Sequence, residues 1–143
     1  MDSSGNILRT ATSRVIILGA SGFVGRSLVK QLDSYSIPTL PLSSSDIDLT
    51  KPNSVDALSK LSKNGDSLVF AAALTPDRGR DIHTMMKNLA IGENVTKFLE
   101  QNQCSHVIYI SSDAVYHDEI TLVREGSRCE PSTYYGLMHV VRE

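Results

Sequence analysis

Three glycines at three-residue spacing, Gly19, Gly22 and Gly25, follow the apolar run Val15-Ile16-Ile17-Leu18. A buried strand that turns through glycines into a helix makes a pyrophosphate cradle. Backbone without side chains comes close to the phosphates, and the helix N-terminus adds unpaired N–H groups and a positive dipole end. The triplet takes its meaning from the strand before it and the helix after it, and this sequence has both. Backbone N–H groups from Ser21, Gly22, Phe23 and Val24 are the candidate phosphate ligands. The end of the next strand separates two cofactors: an acid there bonds a ribose 2′-hydroxyl, and an arginine accepts a 2′-phosphate. The sequence offers Leu42-Ser43-Ser44-Ser45 instead. Ser43 can donate to a phosphate, which tips the reading towards NADP and leaves NAD open. In Phe70-Ala71-Ala72-Ala73, small side chains would let a ribose lie against the backbone, and they would equally suit a core. Cys104 and Cys129 lack metal or redox spacing, so no metal site is expected, and free thiols point to a reducing cytoplasm.

Strand and helix patterns alternate along the chain. Strands are expected at Arg14 to Leu18, Ile37 to Leu42, Ser67 to Ala73 and His106 to Ile110. Pro38 and Pro41 mark the second as an outer or irregular strand. Helices are expected at Gly22 to Leu32, from Pro52 and Ser54 to Asn64-Gly65, at Asp81 to Gln101, and from about Ser132–Tyr135 onward. The long third helix carries Ile82, Met85, Leu89, Val95, Phe98 and Leu99 on its apolar face. This alternation predicts an α/β, Rossmann-type, doubly wound parallel sheet with helices on both faces, and a strand order 3-2-1-4. Residues 1–13 read as a loose polar tail and 14–143 as the dinucleotide-binding domain.

With 143 residues, 41% of them hydrophobic, the chain has the size of one domain. A net charge of −2, from 14 basic and 16 acidic residues, gives no polyanion-binding surface, so nucleic acid is not an expected partner. No apolar run approaches the roughly 20 residues that cross a bilayer. The chain ends about two turns into its last helix, with no capping signal and no following strand. The expectation is the N-terminal part of a longer design, or a truncated product.

Taken in order, these motifs resemble the extended short-chain dehydrogenase/reductase family, the NAD(P)-dependent sugar-nucleotide epimerases, dehydratases and reductases. The resemblance covers nearly all of 14–143. It implies that Asp48-Leu49 meets the adenine edge, although an aspartate near a helix start also complements the helix dipole. It implies that Ala71, Ala72 and Ala73 line the cofactor, and that Asn88 ties the long helix to the cofactor strands. In Ser111-Ser112-Asp113-Ala114-Val115-Tyr116, the matching hydroxyl is Ser112, which would bond the substrate oxygen. In Tyr134-Tyr135-Gly136-Leu137-Met138-His139, Tyr135 matches the proton-transferring tyrosine of a Tyr-x-x-x-Lys pair. A free phenol has a pKa near 10 and needs a neighbouring cation to act as a base.

The sequence departs from the pattern at the lysine, where His139 stands. A neutral imidazole does not depress the Tyr135 pKa, and His139 would act as a cation only when protonated. Two readings follow. One is a hydride-transferring enzyme on a nucleotide sugar or a related hydroxyl or carbonyl compound. The other is an NAD(P)-binding module without efficient catalysis. A reductase of non-sugar substrates fits the same motifs. The family also pairs through the long helix and the Tyr-bearing helix, which implies a possible homodimer.

Overall fold

The computed structural model describes residues 14–143, and the tail expected at 1–13 lies outside the described residues. Four strands, β1 (Val15–Leu18), β2 (Thr39–Leu42), β3 (Ser67–Phe70) and β4 (His106–Tyr109), form one parallel sheet. Four helices accompany them: α1 (Phe23–Ser34), α2 (Ser54–Leu61), α3 (Ile82–Gln101) and α4 (Tyr134–Arg142). One 3-10 turn, Asp113–Val115, follows β4.

The order is β2-β1-β3-β4, which corrects the expected 3-2-1-4. The prolines of β2 supply the reason. Val15 and Gly19 donate to the carbonyls of Pro38 and Leu42, so the alternate residue Pro41 turns its backbone nitrogen to the outer edge. A proline there lacks the N–H a further strand would need, so β2 suits an edge and β3 crosses to the far side of β1. The Rossmann-type architecture stands. The chain reverses direction at β1, which leaves a switch point between β1 and β3.

The register brings Leu42, Leu18, Phe70 and Tyr109 level across the four strands. Their following loops therefore leave from one edge of the sheet, where ligands bind in open α/β sheets. Right-handed crossovers put α1 on one face and α2 and α3 on the other. Ile16, Leu18, Leu68 and Phe70 pack towards Val95 and Phe98 of α3. Ile17 and Val69, on the opposite pleat, are also buried. On α3 the buried set includes Asn88 and Asn94, whereas Ile82, expected on the apolar face, is exposed. Both asparagines bond to backbone, which lets polar side chains lie inside.

At the opposite end of the strands, Arg14 clamps β1 to the start of β3. Its Nη2 donates 2.6 Å to Asp66 Oδ2 and its Nε 3.2 Å to Oδ1. Burial raises the Asp66 pKa, but the bonds from Arg14 and the Lys63 amide outweigh it and hold the carboxyl low.

Candidate functional site

The glycine turn is built by close approach. Gly19 has φ +90°, and a Cβ on it would lie 2.8 Å from Ala72 N. A side chain there would be strained and would drive the end of β3 away from β1. A Cβ on Gly25 would collide with the Gly19 carbonyl, so α1 can start this close to β1 only with glycine. Helices α3 and α4 are capped by the Asp81 and Thr133 side chains. Helix α1 has no side-chain cap and no acid in its first turn, which leaves its N–H groups open to an anion.

A cleft of about 510 Å³ opens over this turn. Gly19, Ser21, Gly22, Phe23, Val24, Gly25, Ser43, Asp48, Leu49, Ala71, Ala72 and Ala73 line it, and Tyr135 and His139 close its far end. Asp48 accepts from the Thr50 amide and hydroxyl, and these bonds hold its carboxyl below the usual range. Leu49 is anchored by Asn94, whose Nδ2 donates to its carbonyl.

Asn88 ties the long helix to the chain after β3, as the resemblance implies, without lining the cleft. Its amide both accepts from Leu74 N at 2.8 Å and donates to Leu74 O at 2.9 Å, so both polar ends are used in holding the loop after β3. Ser112 lines no cleft wall either; its hydroxyl caps the 3-10 turn through Ala114 N, and Ser111 faces the cleft instead. Ser43 Oγ donates 2.6 Å to Asp46 Oδ2, so its proton is already engaged. Asp46, kept ionised by these Ser43 bonds, is a carboxylate near the end of β2 that the sequence reading passed over. The Ser-x-x-Asp spacing of a turn was the available signal.

The far end is a contiguous aromatic and cationic array. Tyr109 Oη lies 2.6 Å from His139 Nδ1. The His139 ring meets Tyr135 edge-on, with centroids 4.6 Å apart. Arg142 lies 4.9 Å over Phe70 and donates to Ala72 O and to Asn88 O. Gly92 leaves the slot that its side chain occupies. Burial, then the Arg142 charge, lower the His139 pKa to about 4. The imidazolium role therefore fails at neutral pH. Burial raises the Tyr135 pKa, against the opposing Arg142 charge. Arg142 and Tyr109 were missed by motif matching, although Arg142 stands two helical turns after Tyr135. A second cavity of about 580 Å³, lined by Arg80, Ala114, Ser132 and Thr133, also reaches Tyr135. Gly136 makes room for this junction, since a Cβ there would strike the Ala114 carbonyl.

Residues 15–143 match the model of the NAD dependent epimerase/dehydratase family. The chain belongs to that family. No curated protein matches the sequence significantly. Among solved structures, a dTDP-4-dehydrorhamnose reductase from Clostridium acetobutylicum superposes with a TM-score of 0.75 and 22% identity, over 90% of this chain and 47% of that one. A UDP-galactose 4-epimerase gives 0.78 and 20%, over 91% and 49%. A GDP-mannoheptose C4 reductase from Campylobacter jejuni, with NADP bound, gives 0.74 and 17%, over 92% and 45%. At these identities the likeness shows the fold. The chain spans about half the length of these neighbours. A nicotinamide dinucleotide, the cofactor the family implies, fits the residues present. The Gly19 and Gly25 contacts leave no room for side chains, and the first turn of α1 has no side-chain cap and no acid to compete with a phosphate. Among the described residues, no helix is long and apolar enough to cross a membrane.

Proposed function

We propose that this chain is the dinucleotide-binding part of a cytoplasmic enzyme that transfers hydride between NAD(P) and a carbonyl or hydroxyl carbon of a nucleotide sugar. The carrying observation is the position of Tyr135, which lines both the glycine-turn cleft and the second cavity. A group there can exchange a proton with a substrate in one space beside a nicotinamide in the other.

A bound nicotinamide dinucleotide would supply or accept the hydride, while the protein supplies position and proton. The α1 amides and the glycine turn would hold its pyrophosphate. Asp48 and Leu49 would border the adenine, and Ala71–Ala73 would let a ribose lie close. In the reducing direction, Tyr135 Oη gives its proton to the carbonyl oxygen while the carbon gains hydride, and solvent then reprotonates the phenolate. In oxidation the same atoms run in reverse. Ser112 would orient the substrate oxygen once its bond to Ala114 N is exchanged. The NADP bound to the heptose reductase neighbour supports a nicotinamide dinucleotide as cofactor, and Asp46 beside Ser43 opposes a 2′-phosphate, which leaves NAD and NADP both open. The exposed Ile82 and Met86 of α3 and Leu137 and Val141 of α4 support pairing with a second copy through those helices.

Neutral His139 favours a second reading, a module that binds the dinucleotide without turnover, because among the described residues no ammonium stands beside Tyr135. The discriminating assay follows consumption of NADH and NADPH with nucleotide-linked keto sugars, comparing wild type with Tyr135→Phe. Turnover lost at least a hundredfold in Tyr135→Phe supports the enzyme (general acid–base groups contribute about 10²–10⁴-fold). Saturable binding without turnover in wild type supports the module.

A further inference from the structure

Ladder bonding on β3 runs out at Ala71, whose N–H donates to Leu18 O. The next residues, Ala72–Leu74, line the cleft and are gripped by side chains from two helices. Asn88 of α3 takes both backbone groups of Leu74, at 2.8 and 2.9 Å. Arg142 of α4 takes Ala72, with Nη1 donating 3.1 Å to its carbonyl. The same guanidinium donates to Asn88 O, through Nε at 3.2 Å and through Nη2. One fork thus joins α4, the end of β3 and the asparagine that holds Leu74.

The side chain is housed for that reach. It runs past Gly92, where a Cβ would lie 3.2 Å from its Cγ and Nε, and its head rests 4.9 Å over the Phe70 ring. Among the described residues no carboxylate pairs with it, and neighbouring Glu143 accepts from Ser111 instead. A half-buried charge without an acid partner is costly, and an apolar side chain would fill the same slot at less cost. A guanidinium alone can hold two carbonyls in one rigid fork. Geometry, not charge pairing, accounts for an arginine here. The gripped segment is also the wall that faces the glycine turn, since a Cβ on Gly19 would lie 2.8 Å from Ala72 N. Tyr135 stands two turns before Arg142 on the same helix, about 10 Å along its axis.

We propose that Arg142 is a positioning residue for the nicotinamide half of the dinucleotide. It sets the Ala72–Leu74 wall of the cleft against Tyr135, so that a cofactor held on the glycine turn by its pyrophosphate has its reactive end beside the proton donor. The inference rests on the dinucleotide-binding reading above and adds a division of labour to it. The glycine turn, Asp48 and Leu49 would hold the adenine half without help from α4, and Arg142 would serve the other half alone.

The test compares whole cofactors with their adenine halves by calorimetric titration: NADH against ADP, and NADPH against 2′-phospho-ADP. Arg142→Met should weaken the dinucleotide that wild type binds about tenfold, the scale of one lost hydrogen bond. Its adenine half should stay within about twofold of wild type. Arg142→Lys keeps the charge but reaches one carbonyl at a time, and should lose about threefold for the dinucleotide only; it carries the same comparison if Arg142→Met does not fold. In the ligand-free protein, hydrogen exchange of the Leu74 amide should quicken at least about tenfold in Arg142→Met, while that of Ala71, bonded to Leu18 O, stays unchanged. Equal weakening of the dinucleotide and its adenine half marks a general loosening of the fold and overturns the inference. Unchanged affinity for both in the folded variants overturns it too, and either result leaves the cofactor reading standing. A folded wild type that binds neither dinucleotide overturns both readings.

Discussion

Acid should loosen this fold through His139 before its carboxylates are protonated. The ring is 2% exposed, and its pKa falls from 6.5 to about 4 under burial and the Arg142 charge, with Glu143 opposing. Because the folded value lies below the unfolded one, the unfolded chain binds more protons between them. Stability is therefore full above about pH 6.5, falls as pH drops through the window, and the loss is complete near pH 4. The gap, 6.5 minus about 4, is worth about 3 kcal/mol in all, of which about 2 kcal/mol is lost between pH 7 and pH 5. That is a large share of the roughly 5–15 kcal/mol that keeps a domain folded. Urea unfolding at both pH values, on wild type and on His139→Gln, isolates this group. Glutamine does not titrate, so its variant should be less stable at pH 7 but lose about 2 kcal/mol less on acidification. Equal losses in the two proteins would refute the reasoning, as would an NMR titration of the His139 ring with a midpoint near 6.5.

Other expectations follow from the same contacts. Asp66→Ala strands Arg14 at the end of the sheet away from the cleft, and should lower stability by about 2–3 kcal/mol in urea while the folded protein keeps its dinucleotide affinity. Asp46→Asn removes a negative charge beside Ser43, and should raise affinity for NADPH relative to NADH about fivefold; an unchanged ratio would remove Asp46 from cofactor choice. Ser112→Ala should lower kcat at least tenfold with little change in dinucleotide Kd, whereas Ser111→Ala, on the cleft wall, should change Kd first.

The sequence made the strand–turn–helix start legible because each part depends on local residue type. Four apolar residues, three spaced glycines and a helical repeat leave little freedom, and the structure puts that turn under the cleft. The prolines of β2 marked an outer strand correctly. The inferred order nevertheless ignored the consequence that an edge strand cannot have β3 outside it. Asn88 and Ser112 lie outside the cleft because a motif fixes position along the chain, not the direction of a side chain. Their polar atoms are engaged by Leu74 and Ala114 backbone. Asp46, Tyr109 and Arg142 were invisible for the converse reason. Asp46 acts through a local turn that no site motif describes, and the other two meet His139 and the end of β3 only once β4 and α4 are packed.

The central claim is that the glycine turn holds a dinucleotide pyrophosphate, and Gly22→Asp tests it most directly. Gly22 is the N-cap of α1 with ordinary extended backbone, φ −72° and ψ 172°, a position where aspartate is a favoured cap. A Cβ there would lie 3.2 Å from Gly19 O, a tight but local contact. The variant should therefore fold while placing a carboxylate where the phosphates would lie. Titration of NADH and NADPH should give saturable binding to wild type and none to the folded variant. Equal affinity in the two proteins would contradict the account.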